Sequence, residues 1–132
     1  MYLVDTNVWL EQFLNQEKSE EVRQFLASLS TENLYITDFT FHSIGIILCN
    51  LTKVETLLQF VQDIFIENAV NFIHLKPEDI PHIVKRMTQF NLDFDDAYQY
   101  LAAEKHELTI ISFDTDFDRT AKGRKQPAEI LK

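Results

Sequence analysis

Tyr2-Leu3-Val4-Asp5 and Leu108-Thr109-Ile110-Ile111-Ser112-Phe113-Asp114 decide the fold. Each is a short apolar run that stops at a carboxylate. A run this short and this apolar reads as a strand buried on both faces. Leu34-Tyr35-Ile36-Thr37 and Ala69-Val70-Asn71-Phe72-Ile73 are of the same kind. Between them the apolar residues change period. Val22, Phe25, Leu26 and Leu29 fall at i, i+3, i+4 and i+7, one face of a helix. A second helix is expected over 38–50, with Asp38 or Thr40 near its start. Val54, Leu57, Leu58, Val61 and Phe65 repeat the helical spacing. Pro77-Glu78-Asp79 opens another helix, with Pro early and acids in the first turn, and with Ile80, Ile83, Val84 and Met87 as its apolar face. A last helix runs from near Asp93–Asp96 to about Glu107. Strands that alternate with helices imply a parallel sheet covered on both faces. The expected fold is a three-layer α/β/α sandwich with a central parallel sheet of four to five strands. Residues 1–132 are read as one domain, with a weak edge strand around Glu129-Ile130-Leu131.

Composition narrows the classes of function. No apolar run approaches the roughly 18 residues of a membrane span, and the opening residues have no basic segment of the kind that starts a secretion signal. A cytoplasmic protein with no membrane partner is expected. The single cysteine, Cys49, excludes a disulfide within the chain. It lies in the apolar stretch Ile44-Gly45-Ile46-Ile47-Leu48-Cys49 and is expected to be a buried structural thiol. Trp9 is expected to pack in the core or at an interface. The four histidines, His42, His74, His82 and His106, share no ligand spacing. The formal charge of −9 argues against nucleic acid, since phosphate contacts want Lys and Arg. A carboxylate cluster that binds a cation reverses that sign locally.

In open parallel sheets, ligands sit beyond the carboxyl ends of the strands. Asp5 follows the first strand and Asp114 the last, with Asp116 and Asp118 at alternate positions after it. Asp93, Asp95 and Asp96 start the helix that leads into the last strand. Each has an ordinary reading as well. Asp5 could cap the helix at Asn7-Val8-Trp9-Leu10, Asp95 or Asp96 could serve a helix N-terminus, and Asp114 to Asp118 could be a solvated turn. Their shared place on one sheet edge favours convergence. Two ionised carboxylates about 4 Å apart repel by about 4 kcal/mol at an effective dielectric near 20. Either one takes a proton or a cation lies between them. Oxygen donors without thiolate favour Mg²⁺ or Mn²⁺. Water held by such an ion can attack a phosphodiester.

At this point the chain resembles the PIN domain family. Val4-Asp5-Thr6-Asn7 after an N-terminal strand is similar to its opening motif. Asp96-Ala97-Tyr98-Gln99-Tyr100-Leu101-Ala102-Ala103 resembles its third-acid helix. Ile110-Ile111-Ser112-Phe113-Asp114-Thr115-Asp116-Phe117 resembles its closing motif. The resemblance implies a Mg²⁺- or Mn²⁺-dependent ribonuclease. Asp5, Asp96 and Asp114 would be catalytic and hold the metal, with Asp116 as an outer or second-metal ligand. Thr6 and Asn7 would position Asp5, and Ser112 would support the Asp114 turn. Small bacterial and archaeal members are VapC-like toxins silenced by an antitoxin, so an RNA substrate, an antitoxin partner and a homodimer are implied. One position departs. The helix after the second strand usually carries a Glu, and the aligned residue here is Ser43. That leaves a second reading, a catalytically weak or inactive module that binds RNA or protein. An aspartyl phosphotransferase is a third, but Asp5-Thr6-Asn7 lacks the second acid of an Asp-x-Asp motif. Arg119, Lys122, Arg124 and Lys125 form the densest basic segment. It reads either as a solvated loop or as a set of RNA-phosphate contacts.

Overall fold

A computed structural model describes residues 1–131. Four strands, β1 (Tyr2–Val4), β2 (Leu34–Thr37), β3 (Asn71–Ile73) and β4 (Thr109–Ile111), form a sheet in the order β3-β2-β1-β4. Every pairing is parallel: Leu3 stands beside Tyr35 on one side and Ile110 on the other, and Ile36 beside Phe72. The chain adds β2 and β3 on one side of β1, then crosses to place β4 on the other. The order therefore reverses at β1, and the crevice between β1 and β4 is where such sheets bind ligands.

Among the described residues seven helices cover the sheet: α1 (Thr6–Phe13), α2 (Ser19–Ala27), α3 (Asp38–Asn50), α4 (Val54–Val61), α5 (Ile80–Phe90), α6 (Phe94–His106) and the short α7 (Pro127–Ile130). Alternation along the strands assigns the layers. Leu3 and Ile110 face one cluster with Ile83, Ala97, Tyr100, Leu101 and Phe117, which is the α5–α6 layer. Val4, Ile36 and Ile111 face the other, with Val8, Trp9, Phe25, Ile44, Leu48 and Phe60 from α1 to α4. Trp9 is fully buried, and its indole N–H donates to the Val4 carbonyl at 3.2 Å. This is the three-layer α/β/α sandwich expected, with four strands among the described residues, none of whose helices is long and apolar enough to cross a membrane.

Four expectations need correction. Residues 127–130 are helical, and Pro at the first position with the Gln126–Glu129 capping box explains why. The added edge pairing comes from Lys125, whose backbone bridges to Ile111. Cys49 is exposed. Helix α3 is apolar around most of its circumference, and Ile44 and Leu48 supply the buried face, which leaves Cys49 turned outward. On α5 only Ile83 is fully buried, while Ile80 and Val84 are 40% and 50% exposed. The packed face is Ile83, Met87 and Phe90, which meets α6. Likewise Val54 and Leu58 of α4 are exposed, and the buried residue is Phe60. A π turn at Gln62–Glu67 then changes the helical phase ahead of β3.

Candidate metal centre

Asp5 leaves β1 at the middle of the sheet and caps α1. Its backbone N–H donates to the Ile111 carbonyl at 2.9 Å, which ties the end of β1 to β4. The side chain is buried. Oδ1 accepts from the Thr6 backbone N–H at 2.8 Å and from Gln99 Nε2 at 2.9 Å. Oδ2 accepts from Ser112 Oγ at 2.8 Å and more distantly from Asn7 Nδ2 at 3.5 Å. Asp5 thus caps α1, one of the two readings open from sequence, and it also lines a cavity with Asp96 and Asp114.

Ser112 and Asn7 join β1 to β4. The Ser112 hydroxyl gives its proton to Asp5 and accepts from the Asp114 N–H at 2.9 Å and from Asn7 Nδ2 at 3.3 Å, which uses its full capacity. Asn7 Oδ1 accepts from the Phe113 N–H at 3.2 Å. Thr6 Oγ1 reaches the Thr40 hydroxyl at 3.0 Å. Asp114 begins a 3₁₀ turn, Thr115–Arg119, and its Oδ1 accepts from the Asp116 N–H at 2.8 Å. Asp96 lies in the first turn of α6, behind the N-cap Asp93.

These segments meet. One carboxylate oxygen each from Asp96, Asp114 and Asp116 lies within 4.8 Å of the others. Asp5 is outside that trio but lines the same cavity of about 250 Å³, together with Asp96, Asp114, Asn7, Gln99 and Ser43. Electrostatics reflect the crowding. Burial, then repulsion from Asp114, Asp5 and Asp116, pushes the Asp96 carboxyl up to about 8. Burial also raises Asp5, against the hydrogen bonds from Gln99, Ser112 and Thr6. Without a cation, the cluster is relieved by a proton on Asp96. All its donors are carboxylate oxygens, with no thiolate or imidazole, which fits a hard divalent ion. The four histidines are exposed.

The basic segment is mostly committed elsewhere. Arg119 pairs with Asp116 at 3.1 Å and donates to the carbonyls of Phe90 and Asn91 at the end of α5. Arg124 pairs with Asp118 at 3.1 Å and donates to the Ser112 carbonyl. Lys122 and Lys125 are exposed and form no ion pair among the described residues. Asp38, at the end of β2, is held by the Tyr98 hydroxyl at 2.6 Å and by the Phe39 N–H. Reading the sequence missed Gln99, which touches Asp5 directly. The available signal was its place three residues after Asp96, on the same face of α6.

A parallel sheet with an acid cluster at its order reversal defines a class: α/β proteins that gather carboxylates beyond the strand ends. The chain belongs to the PIN domain family, which matches residues 2–123. Comparison with curated proteins gives no match. Among solved structures it is similar to FitAB bound to an IR36 DNA fragment, at 22% identity and TM-score 0.83, covering 97% of this chain and 96% of the other. It is similar to Mycobacterium tuberculosis VapC20, a sarcin-ricin loop cleaving toxin, at 14% identity and TM-score 0.81, covering 96% and 100%. It is also similar to FitAcB from Neisseria gonorrhoeae, at 25% identity and TM-score 0.76, covering 96% and 98%.

Proposed function

We propose that this chain is a cytoplasmic, divalent-metal-dependent endoribonuclease and the toxin of a toxin–antitoxin pair. One observation carries the reading. Carboxylate oxygens of Asp96, Asp114 and Asp116 lie within 4.8 Å of one another, Asp96 and Asp114 line one cavity with Asp5, and the crowding with burial raises Asp96 to about 8. A strongly raised carboxyl lining a cavity marks a functional-site candidate, and a bound cation would offset the repulsion. The family and its neighbours support the reaction class: VapC20 is a sarcin-ricin loop cleaving toxin, and FitAB is seen bound to a DNA fragment.

Asp5, Asp96 and Asp114 would hold Mg²⁺ or Mn²⁺, with Asp116 on the outer side. The bound ion supplies a water of lowered pKa and offsets charge on a phosphate oxygen. The chain's own residues do the rest. Asp96, raised to about 8, would have to lose its proton to serve as a ligand. Ser112 and Asn7 hold Asp5 and the Asp114 turn in one frame. Lys122 and Lys125 are the remaining cations of the loop for RNA phosphates. An antitoxin partner and a homodimer belong to the same reading.

The test is cleavage of a mixed RNA panel under Mg²⁺ and Mn²⁺ titration. Cleavage by the wild type, lost in Asp114→Asn with the fold intact, is the expected result. Cleavage that survives Asp5→Asn, Asp96→Asn and Asp114→Asn alike overturns it. Ser43 supports a second reading, a module that binds RNA or protein without cutting. It lines the cavity and makes no side-chain hydrogen bond among the described residues, where an acid would add a ligand. That reading predicts binding without turnover under any divalent ion.

A further inference from the structure

Gln99 is 1% exposed, in the middle of α6. A buried amide must find partners for its carbonyl and for its N–H groups. Gln99 finds three. Its Oε1 accepts from Thr37 Oγ1 at 2.6 Å, and its Nε2 donates to Asp5 Oδ1 at 2.9 Å and Thr40 Oγ1 at 2.8 Å.

The direction of the amide is determined by its neighbours. Thr37 Oγ1 already accepts from the Thr40 backbone N–H at 3.1 Å, as the N-cap of α3. Its single proton is free to go to Gln99 Oε1. With Oε1 held at Thr37, Nε2 is aimed at Asp5. The reversed amide would set its oxygen against a carboxylate with no proton between them. The chain thus links the end of β2, the start of α3, α6 and the end of β1 through neutral groups.

Packing alone does not call for this. The other buried residues of α6 are Ala97, Tyr100, Leu101, Ala102 and Ala103, and Gln99 is the one amide among them. A buried polar network is unfavourable unless every member is satisfied, and here the terminal acceptor is a carboxylate of the candidate site. We infer that Gln99 is a positioning residue that fixes the Asp5 carboxylate from the wall of the cavity. It acts through Asp5 and does not touch the ion or the RNA. The inference rests on the metal-centre reading, so wild-type metal binding is measured first.

The experiment is a cycle on the full chain, with Mn²⁺ affinity read by calorimetry and by loss of the free-ion EPR signal. Gln99→Met keeps the length and removes both donors. Its Mn²⁺ affinity is expected to fall about tenfold, the lower range for groups that orient a metal ligand. In the Asp5→Asn background the same substitution is expected to change nothing further. In cleavage assays Gln99→Met lowers kcat and leaves KM for RNA unchanged. Should Gln99→Met fail to fold, Thr37→Val removes the proton that orients the amide, and a smaller loss of affinity is expected, again absent with Asp5→Asn. Equal Mn²⁺ affinity in wild type and Gln99→Met overturns the inference. So does a loss of the same size in the Asp5→Asn background, which would mark Gln99 as core support only. A wild type that binds no Mn²⁺ overturns the metal centre itself, and the Gln99 inference falls with it.

Discussion

Asp96 carries the energetic signature of the site. Its carboxyl is pushed from 3.8 to about 8, by burial first and then by Asp114, Asp5 and Asp116. The sign follows from linkage. The folded value exceeds the unfolded one, so the folded state binds the proton more tightly. The stability this contributes is full below pH 3.8 and is lost as pH rises toward 8. Metal-free wild type should therefore lose Tm across that window, relative to an Asp96→Asn variant that has no proton to lose. Thermal melts over pH and with chelator check this; parallel curves for the two proteins would contradict it. The same proton must leave when a cation enters. At pH 7, Mn²⁺ binding should release about one proton per ion, a quantity read from calorimetry in buffers of different ionisation heat. Neither outcome depends on whether RNA is cut.

At the scale of elements, α5 offers a sharp contrast between neighbouring residues. Ile83 is fully buried between α5 and the sheet, while Val84 is half exposed. Ile83→Ala should cost about 2–4 kcal/mol by lost burial and residual cavity, and Val84→Ala under about 0.5 kcal/mol. Urea unfolding of both separates the observed face from the one expected by periodicity. Asp79 pins the start of the same helix: it accepts from the Lys76 N–H at 2.8 Å and pairs with Lys105 of α6 at 3.1 Å. The Lys76 hydrogen bond, then Lys105, hold its carboxyl below the usual range. A lowered value contributes stability above the unfolded pKa, and it is lost as pH falls through the folded one. Asp79→Asn should lower Tm at pH 7, and the difference should close below about pH 4. These contrasts also show what sequence could carry. The strands were legible because short apolar runs ending in acids have few other readings. Asp5, Asp96 and Asp114 could be brought to one edge because strand ends and helix starts fix where a side chain emerges. The buried face of α3 was not legible, since a helix apolar on most sides has no phase to read. Gln99 left only its i+3 place after Asp96 as a mark, because a glutamine in a helix ordinarily faces water. Lys125 pairs through its backbone, which leaves no mark on residue type.

For the whole molecule, the charge of −9 and the proposed RNA substrate have to be reconciled. The basic loop does less than its composition promises. Arg119 and Arg124 neutralise Asp116 and Asp118 and brace the chain, so their charge is already used. Lys122 and Lys125 are left for phosphates. Binding driven by displaced counterions scales with the number of phosphates neutralised, at a slope near −0.7 per contact for a single strand. Two contacts give a slope of about −1.4 in log(kcat/KM) against log[salt]. An acidic protein of this kind should then cut RNA with weak salt dependence, relying on the ion in the acid cluster for most of its attraction to phosphate. Replacing both lysines, Lys122→Ala with Lys125→Ala, should bring the slope close to zero and raise KM with kcat little changed, because the lysines lie outside the acid cluster. The measurement is the initial rate of cleavage at fixed Mn²⁺ over a range of monovalent salt. A wild-type slope steeper than about −4 would require phosphate contacts that this loop does not supply, and would place the RNA path across another surface of the protein.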